Sequence, residues 1–246
     1  MAKNLLNRLE ILGLAGILLT GIFGKASSHE PDESNFAKFG ARNYSSTSIT
    51  GAKTDINGLY LQIGKKLEDL EFYAGAGVFN PVINNGFENP NSKEKIDVSP
   101  NTFIGGVSVG GRYRFFESEN EEISLNGELK LSKISEFDDF AKWNEGYSLI
   151  HIDGITSIDA GLFAEKKYQS FGFIVGANIN SSYCSGEVLT SDNSASDVYS
   201  EFNQRNKAEI KGVVGINYTL DNNCNLECNA RIGDSISIDI GLLKRW

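Results

Sequence analysis

The stretch that decides the fold is S-I-S-I-D-I-G-L-L-K-R-W, residues 235–246. Its even positions read Ile236, Ile238, Ile240, Leu242, Lys244 and Trp246; its odd positions read Ser235, Ser237, Asp239, Gly241, Leu243 and Arg245. A strand puts successive side chains on opposite faces, so period two gives this segment one greasy face ending in an aromatic and one largely polar face.

Working back along the chain, the same alternation recurs. In 225–231, Leu226, Cys228 and Ala230 oppose Asn225, Glu227, Asn229 and Arg231. In 208–220, Ile210, Val214, Ile216 and Tyr218 oppose Glu209, Lys211, Gly215 and Asn217. Segments 123–133 and 101–116 repeat it, and 58–67, 70–79, 155–168 and 171–181 follow it more loosely. The connections alternate in length: short near 66–68, 117–121, 169–170 and 221–223, long and polar over 80–100, 137–153 and 182–206. Only the tight pair Gly233-Asp234 breaks the rhythm. Short turns on one side and long loops on the other are the layout of an up-and-down membrane barrel. The fold class expected is all-β, an antiparallel transmembrane β-barrel. Nine clear segments and the even strand number of bacterial single-chain barrels require a tenth, for which 36–48 is the available stretch; eight strands is the alternative.

A soluble β-sandwich also alternates. Three features favour the membrane. The segments run to about ten to fifteen residues, long for a globular sheet and suited to a tilted crossing. Tyr113, Phe115, Tyr168, Tyr218 and Trp246 gather beside the short turns, as an interfacial girdle does. The chain also opens with an export signal. Lys3 and Arg8 precede an apolar run, 11–23, and Gly24-Lys25-Ala26 supplies the small residues of a cleavage site. Cleavage after Ala26 leaves 27–246 as a single barrel domain, with 27–55 its least patterned part.

The closing repeat, Asn217-Tyr218-Thr219-Leu220 through Arg231-Ile232-Gly233, resembles that of small bacterial outer-membrane barrels of the porin-like and surface-antigen group. The tail also looks like their C-terminal assembly signal, with Ile238, Ile240, Leu242 and Trp246 matching and Lys244 standing where an apolar residue is usual. The resemblance covers about the last forty residues. It implies residence in the bacterial outer membrane, with membrane lipid and the barrel-insertion machinery as partners, and it names no activity.

Charge narrows the function further. The whole chain carries −9; without Lys3, Arg8, Lys25 and Glu10 the balance is 20 basic against 31 acidic residues, or −11. Such a surface has no electrostatic case for nucleic acid. Cys224 and Cys228 fall on one side of a strand about 13 Å apart, too far to bridge. Cys184 reads as a loop residue, and nothing in the sequence calls for a metal or cofactor. The polar face expected to line the lumen carries Arg112, Arg114, Glu128, Lys130, Asp159, Glu165, Glu209, Lys211, Glu227, Arg231, Asp239 and Arg245. These groups either line a narrow pore or fill a small barrel as internal ion pairs, and for eight to ten strands a filled lumen or a very narrow channel is favoured.

Three functions are compatible. The first is a structural, surface or narrow-pore barrel with long outer loops available for contact. The second is a barrel enzyme, protease or lipid-modifying. There His151 and Asp153 share a face, Ser148 is near and Asp138-Asp139 lie earlier in the loop, but no nucleophile motif accompanies them. The third is a secreted sandwich that binds a ligand.

Overall fold

The computed structural model describes residues 33–47, 53–88, 95–118, 122–143, 146–192, 198–205, 208–221 and 223–246; the segment 1–26 expected to be an export signal lies outside them. Thirteen strands are found there: β1 (Glu33–Thr47), β2 (Lys53–Leu67), β3 (Leu70–Glu88), β4 (Lys95–Val98), β5 (Ile104–Ser118), β6 (Ile123–Ile134), β7 (Phe137–Trp143), β8 (Gly146–Tyr168), β9 (Phe171–Asp192), β10 (Val198–Arg205), β11 (Glu209–Asp221), β12 (Cys224–Ile232) and β13 (Ile236–Arg245). Ten of them close into one antiparallel wall, β1-β2-β3-β5-β6-β8-β9-β11-β12-β13 and back to β1. The closing seam pairs β1 with β13 from Phe36 opposite Arg245 to Asn43 opposite Ile238. Closure leaves the wall no free edge, as a sheet in lipid requires. A single sheet closed on itself excludes the two-sheet sandwich, and the ten-strand wall excludes the eight-strand alternative.

The tenth strand expected over 36–48, where alternation is poor, is β1, Glu33–Thr47; Ser48 lies outside the described residues. Its outward residues Ala37, Phe39 and Ala41 are small except for Phe39, so the apolar signal is weak. Its fifteen register partners on β2 nevertheless run unbroken from Glu33 to Thr47.

The long connections correct the sequence reading. Instead of loops over 80–100, 137–153 and 182–206, the wall strands continue upward as raised pairs: β3 with β4, β8 with β7, and β9 with both β8 and β10. Cys184 therefore sits in β9, buried, rather than in a loop. The β12–β13 hairpin ends at Gly233-Asp234, so the rim is low there and high elsewhere. In β8 a bulge between Ile152 and Gly154 separates wall from extension. Gly154 adopts φ +127, and a Cβ there would lie 2.5 Å from the Ile134 carbonyl oxygen, so this position needs glycine.

Outside, the wall is apolar. Val107 and Val109 on β5, Leu129 and Leu131 on β6, Ile158 and Leu162 on β8, Val175 and Ile179 on β9, and Ile236, Ile238, Ile240 and Leu242 on β13 are all exposed. The belt runs from Tyr113 and Tyr168 near the short turns to Phe103 and Tyr183 near the long side, about ten residues or ~25 Å of tilted strand. Water tolerates no continuous belt of this size on a monomer; hydrocarbon does. This is a membrane-spanning barrel.

Candidate functional site in the barrel interior

The inward face of each strand follows from register and parity, and it stacks into three layers. The middle layer is ionic. Arg42 Nε donates to Asp239 Oδ2 at 2.6 Å, Tyr60 Oη donates to Asp239 Oδ1 at 2.7 Å, and Lys38 Nζ pairs with Glu227 at 2.7 Å and Asp239 at 3.5 Å. Lys38, Arg42 and Lys130 all lie within about 6 Å of the Tyr60 ring centre, favourable for cation–π attraction. Tyr73 Oη donates to Glu128 at 2.5 Å. Asn180 Nδ2 donates to Asp159 at 2.8 Å while its Oδ1 accepts from Tyr44. Lys211, with no exposed surface, donates to the Ser45 carbonyl and to Ser235 Oγ at 2.8 Å, with Glu209 3.3 Å away.

The lower layer faces the short turns. Arg112 stands opposite Glu71 and Glu128 in the ladders, Arg245 lies 3.5 Å from Glu71, and Asn217 donates to Glu165 at 3.5 Å. A cavity of about 110 Å³ lies among them. Arg114 sits at the rim, bound to Asp69 at 2.8 Å and to Glu117. Arg231 faces inward beside Val213 and Ser237, and its Nε is buried without a partner.

The upper layer is apolar. Tyr44, Ile56, Ile83, Val98, Ile134, Phe137, Ile150, Ile152, Ile155 and Cys184 form one buried cluster, with Phe79, Ile104, Val188 and Phe202 packed on it. A cavity of about 50 Å³ separates it from Tyr60, Lys130 and Asp159 below. Inward-facing glycines make room here for aromatic rings more than for charges. Phe79 lies over Gly58, Gly77 and Gly106, and Tyr73 over Gly110.

Sequence reasoning missed Lys38, Arg42, Tyr60, Glu71 and Tyr73. On β1 the alternation is too weak to assign a face, and the segments 58–67 and 70–79 that hold Tyr60, Glu71 and Tyr73 follow it only loosely. With them, the inward cations Lys38, Arg42, Arg112, Lys130, Lys211, Arg231 and Arg245 are interleaved with the carboxylates Glu71, Glu128, Asp159, Glu165, Glu209, Glu227 and Asp239, and Lys66 and Lys167 add further positive charge at the lower cavity.

At the outer rim His151 stands opposite Asp138 across β7–β8, with Nδ1 2.6 Å from Asp138 Oδ1 and Nε2 3.6 Å from Asp153. The hydrogen bond that its ring donates to Asp138, helped by the nearby Asp153 charge, raises its pKa, opposed by slight burial. Tyr199 is pushed up to about 12 by its hydrogen bond to Glu187. Ser148 is buried and hydrogen-bonded to Thr190 at 3.0 Å, three residues from His151 and so on the opposite face. The pair does not form a nucleophile and base.

On β13, Ile238, Ile240 and Leu242 face outward, and Trp246 exchanges backbone hydrogen bonds with Asn35 on the first strand at 3.0 and 3.1 Å. Lys244 is outward and exposed, 3.7 Å from Asp221 in the adjacent short turn.

Fold and interior together define a transmembrane up-and-down β-barrel with its own side chains packed through the lumen. No family model matches the chain, and no curated relative does. Among solved structures it is similar to the translocator domain of the autotransporter NalP from Neisseria meningitidis (9% identity, 98% of each chain, TM-score 0.48). It is also similar to the outer membrane protease OmpT from Escherichia coli (9% identity, 90% of this chain and 99% of that one, TM-score 0.43). A third is the transport unit of the autotransporter AIDA-I from Escherichia coli (14% identity, 92% and 94%, TM-score 0.41).

Proposed function

We propose that the chain is a closed surface barrel of the bacterial outer membrane, a rigid wall that presents its raised strand pairs at the cell exterior and passes no solute through its lumen at rest. The observation that carries this reading is the layered interior: an apolar cluster across most of the outer mouth, seated on a layer of paired charges. A small barrel filled in this way has no continuous aqueous bore.

The charged set then acts as filling. Arg112, Glu128, Lys130, Asp159, Glu165, Glu209, Lys211, Glu227, Arg231, Asp239 and Arg245 hold the strands at fixed distances, and Arg114 secures the turn side. Ile238, Ile240, Leu242 and Trp246 serve as the signal read by the insertion machinery during assembly, and membrane lipid covers the belt.

Single-channel recording of the refolded full chain in planar bilayers tests the closed lumen. A baseline without discrete steps is expected. Stepwise openings in the wild-type protein would contradict it.

A further inference from the structure

The apolar cluster does not close the whole mouth. Its members come from β1 to β4 and β6 to β9, with Ile104 of β5 and Phe202 of β10 packed against them; among the described residues β11, β12 and β13 supply none. On that side the buried inward groups at the outer end are polar: Lys211, Ser235, Ser237 and Asp239, with Ser45 beside them on β1; lower down, Val213 is buried against Phe163 and Ile174, and Leu243 is buried on β13. It is also the side where the rim is lowest. A Cβ on Gly233, in the tight turn, would lie 2.8 Å from Glu209 Oε1 and 3.0 Å from Lys211 Cγ, so the turn sits directly on this pair.

Below Lys211 the polar groups continue downward in register. Asn178 is level with Lys211, Arg231 with Val213, and Asn217 two rungs lower, where it borders the cavity of about 110 Å³ at the turn side. Asn178 Oδ1, Arg231 Nε and Asn217 Oδ1 are all buried without a protein partner. Buried polar atoms of this kind are normally satisfied by water. Three of them, at the levels of residues 211, 213 and 217 on the neighbouring strands β9, β11 and β12, point to a hydrated line from the Lys211 ammonium toward the periplasmic cavity, past the small buried cluster of Val213, Phe163 and Ile174.

From this geometry we propose that the β11–β13 side of the lumen is a narrow permeation track for small monovalent cations, held shut by the Lys211 side chain. The ammonium fills the outer end, bonded to the Ser45 carbonyl and Ser235 Oγ, and its charge repels cations. Glu209 is paired with this ammonium at 3.3 Å, so removing Lys211 leaves the carboxylate unpaired at the mouth, and a carboxylate at a constriction favours cations over anions. The inference rests on the closed-barrel reading and goes beyond it.

Planar-bilayer recording of the full chain carrying Lys211→Ala tests it, with the heat-modifiable gel shift confirming a folded barrel. A current above the wild-type baseline is expected, with its reversal potential displaced toward that of potassium in a potassium chloride gradient. Lys130→Ala, which removes a buried lysine beneath the apolar cluster, is expected to stay silent. If Lys211→Ala does not fold, Lys211→Met keeps the side-chain volume near Glu209 without the charge and is expected to conduct. Lys211→Cys is expected to conduct until an aminoethyl methanethiosulfonate reagent restores an ammonium and closes it. A silent wild type with silent, folded Lys211 variants overturns the track, as does an anion-selective current or equal opening by Lys130→Ala. Steps in the wild type overturn instead the closed reading on which the track rests.

Discussion

Arg42 and Asp239 face each other across the seam where the last strand meets the first, with the guanidinium Nε and Nη2 each 2.6 Å from the same carboxylate oxygen, Oδ2. The other oxygen of Asp239 accepts from Tyr60 and stands 3.5 Å from Lys38. One carboxylate thus ties together β1, β2 and β13 at the point where the barrel closes.

Removing that carboxylate leaves the largely buried Arg42 guanidinium without its partner, while Lys38 keeps Glu227. Asp239→Ala is therefore expected to destabilise the barrel by about 3–5 kcal/mol, the usual cost of breaking a buried pair from one side. Urea unfolding followed by the heat-modifiable gel shift measures it. An unchanged midpoint would mean that the Arg42–Asp239 contact contributes nothing at the seam.

Tyr73 reaches Glu128 only because Gly110 has no side chain; a Cβ there would lie 2.5 Å from the phenol ring. Gly110→Val is expected to cost about 1–3 kcal/mol through overpacking. Adding Tyr73→Ala to Gly110→Val should remove part of that cost, because the ring that clashes is gone. A double variant whose loss equals the sum of the two singles would count against the contact.

Lys244, the departure from the apolar pattern of the last strand, lies outward at the turn edge beside Asp221 and is exposed. A lysine there can rest its stem on the belt while its ammonium stays in the headgroup water. Lys244→Phe is expected to fold in vesicles with a yield at least equal to wild type. A lower yield would show that the ammonium itself is needed.

His151 carries a raised pKa because Asp138 holds its Nδ1. Its contribution to stability is then full below the unfolded value near 6.5, and it is lost as pH rises through the higher folded value. An NMR titration should place the imidazole above the ordinary histidine range, and Asp138→Asn should return it there. The signal is assigned by its disappearance in His151→Gln. No change in Asp138→Asn would remove Asp138 as the cause.

Where the membrane enforces a pattern, the fold was legible in the sequence. Lipid on one face demands apolar residues at every second position, so β5, β6, β11, β12 and β13 are readable from period two alone. Above the belt that demand lapses. In β7 the order Phe137-Asp138-Asp139-Phe140 keeps no simple alternation, and β10 carries Glu201, Asn203 and Arg205 along its exposed positions, so both read as loop. The interior was half legible. Charges in strongly alternating strands were assigned to the polar face, but Lys38 and Arg42 sit in β1, where the outward residues are too small to mark the other face. Contacts such as Tyr44 with Asn180, made between strands that are not neighbours in the wall, depend on closure and have no local signature.

The last strand offers the most direct test of a closed wall with lipid on one side and packed charge on the other. Spin labels placed singly at positions 236 to 243, in a chain whose native cysteines are serine, can be read in vesicles for access to oxygen and to a water-soluble nickel chelate. The barrel predicts strict alternation: labels at Ile236, Ile238, Ile240 and Leu242 open to oxygen and shielded from nickel, and labels at Ser237, Asp239, Gly241 and Leu243 shielded from oxygen. Uniform nickel access along both sets, without period two, would contradict it.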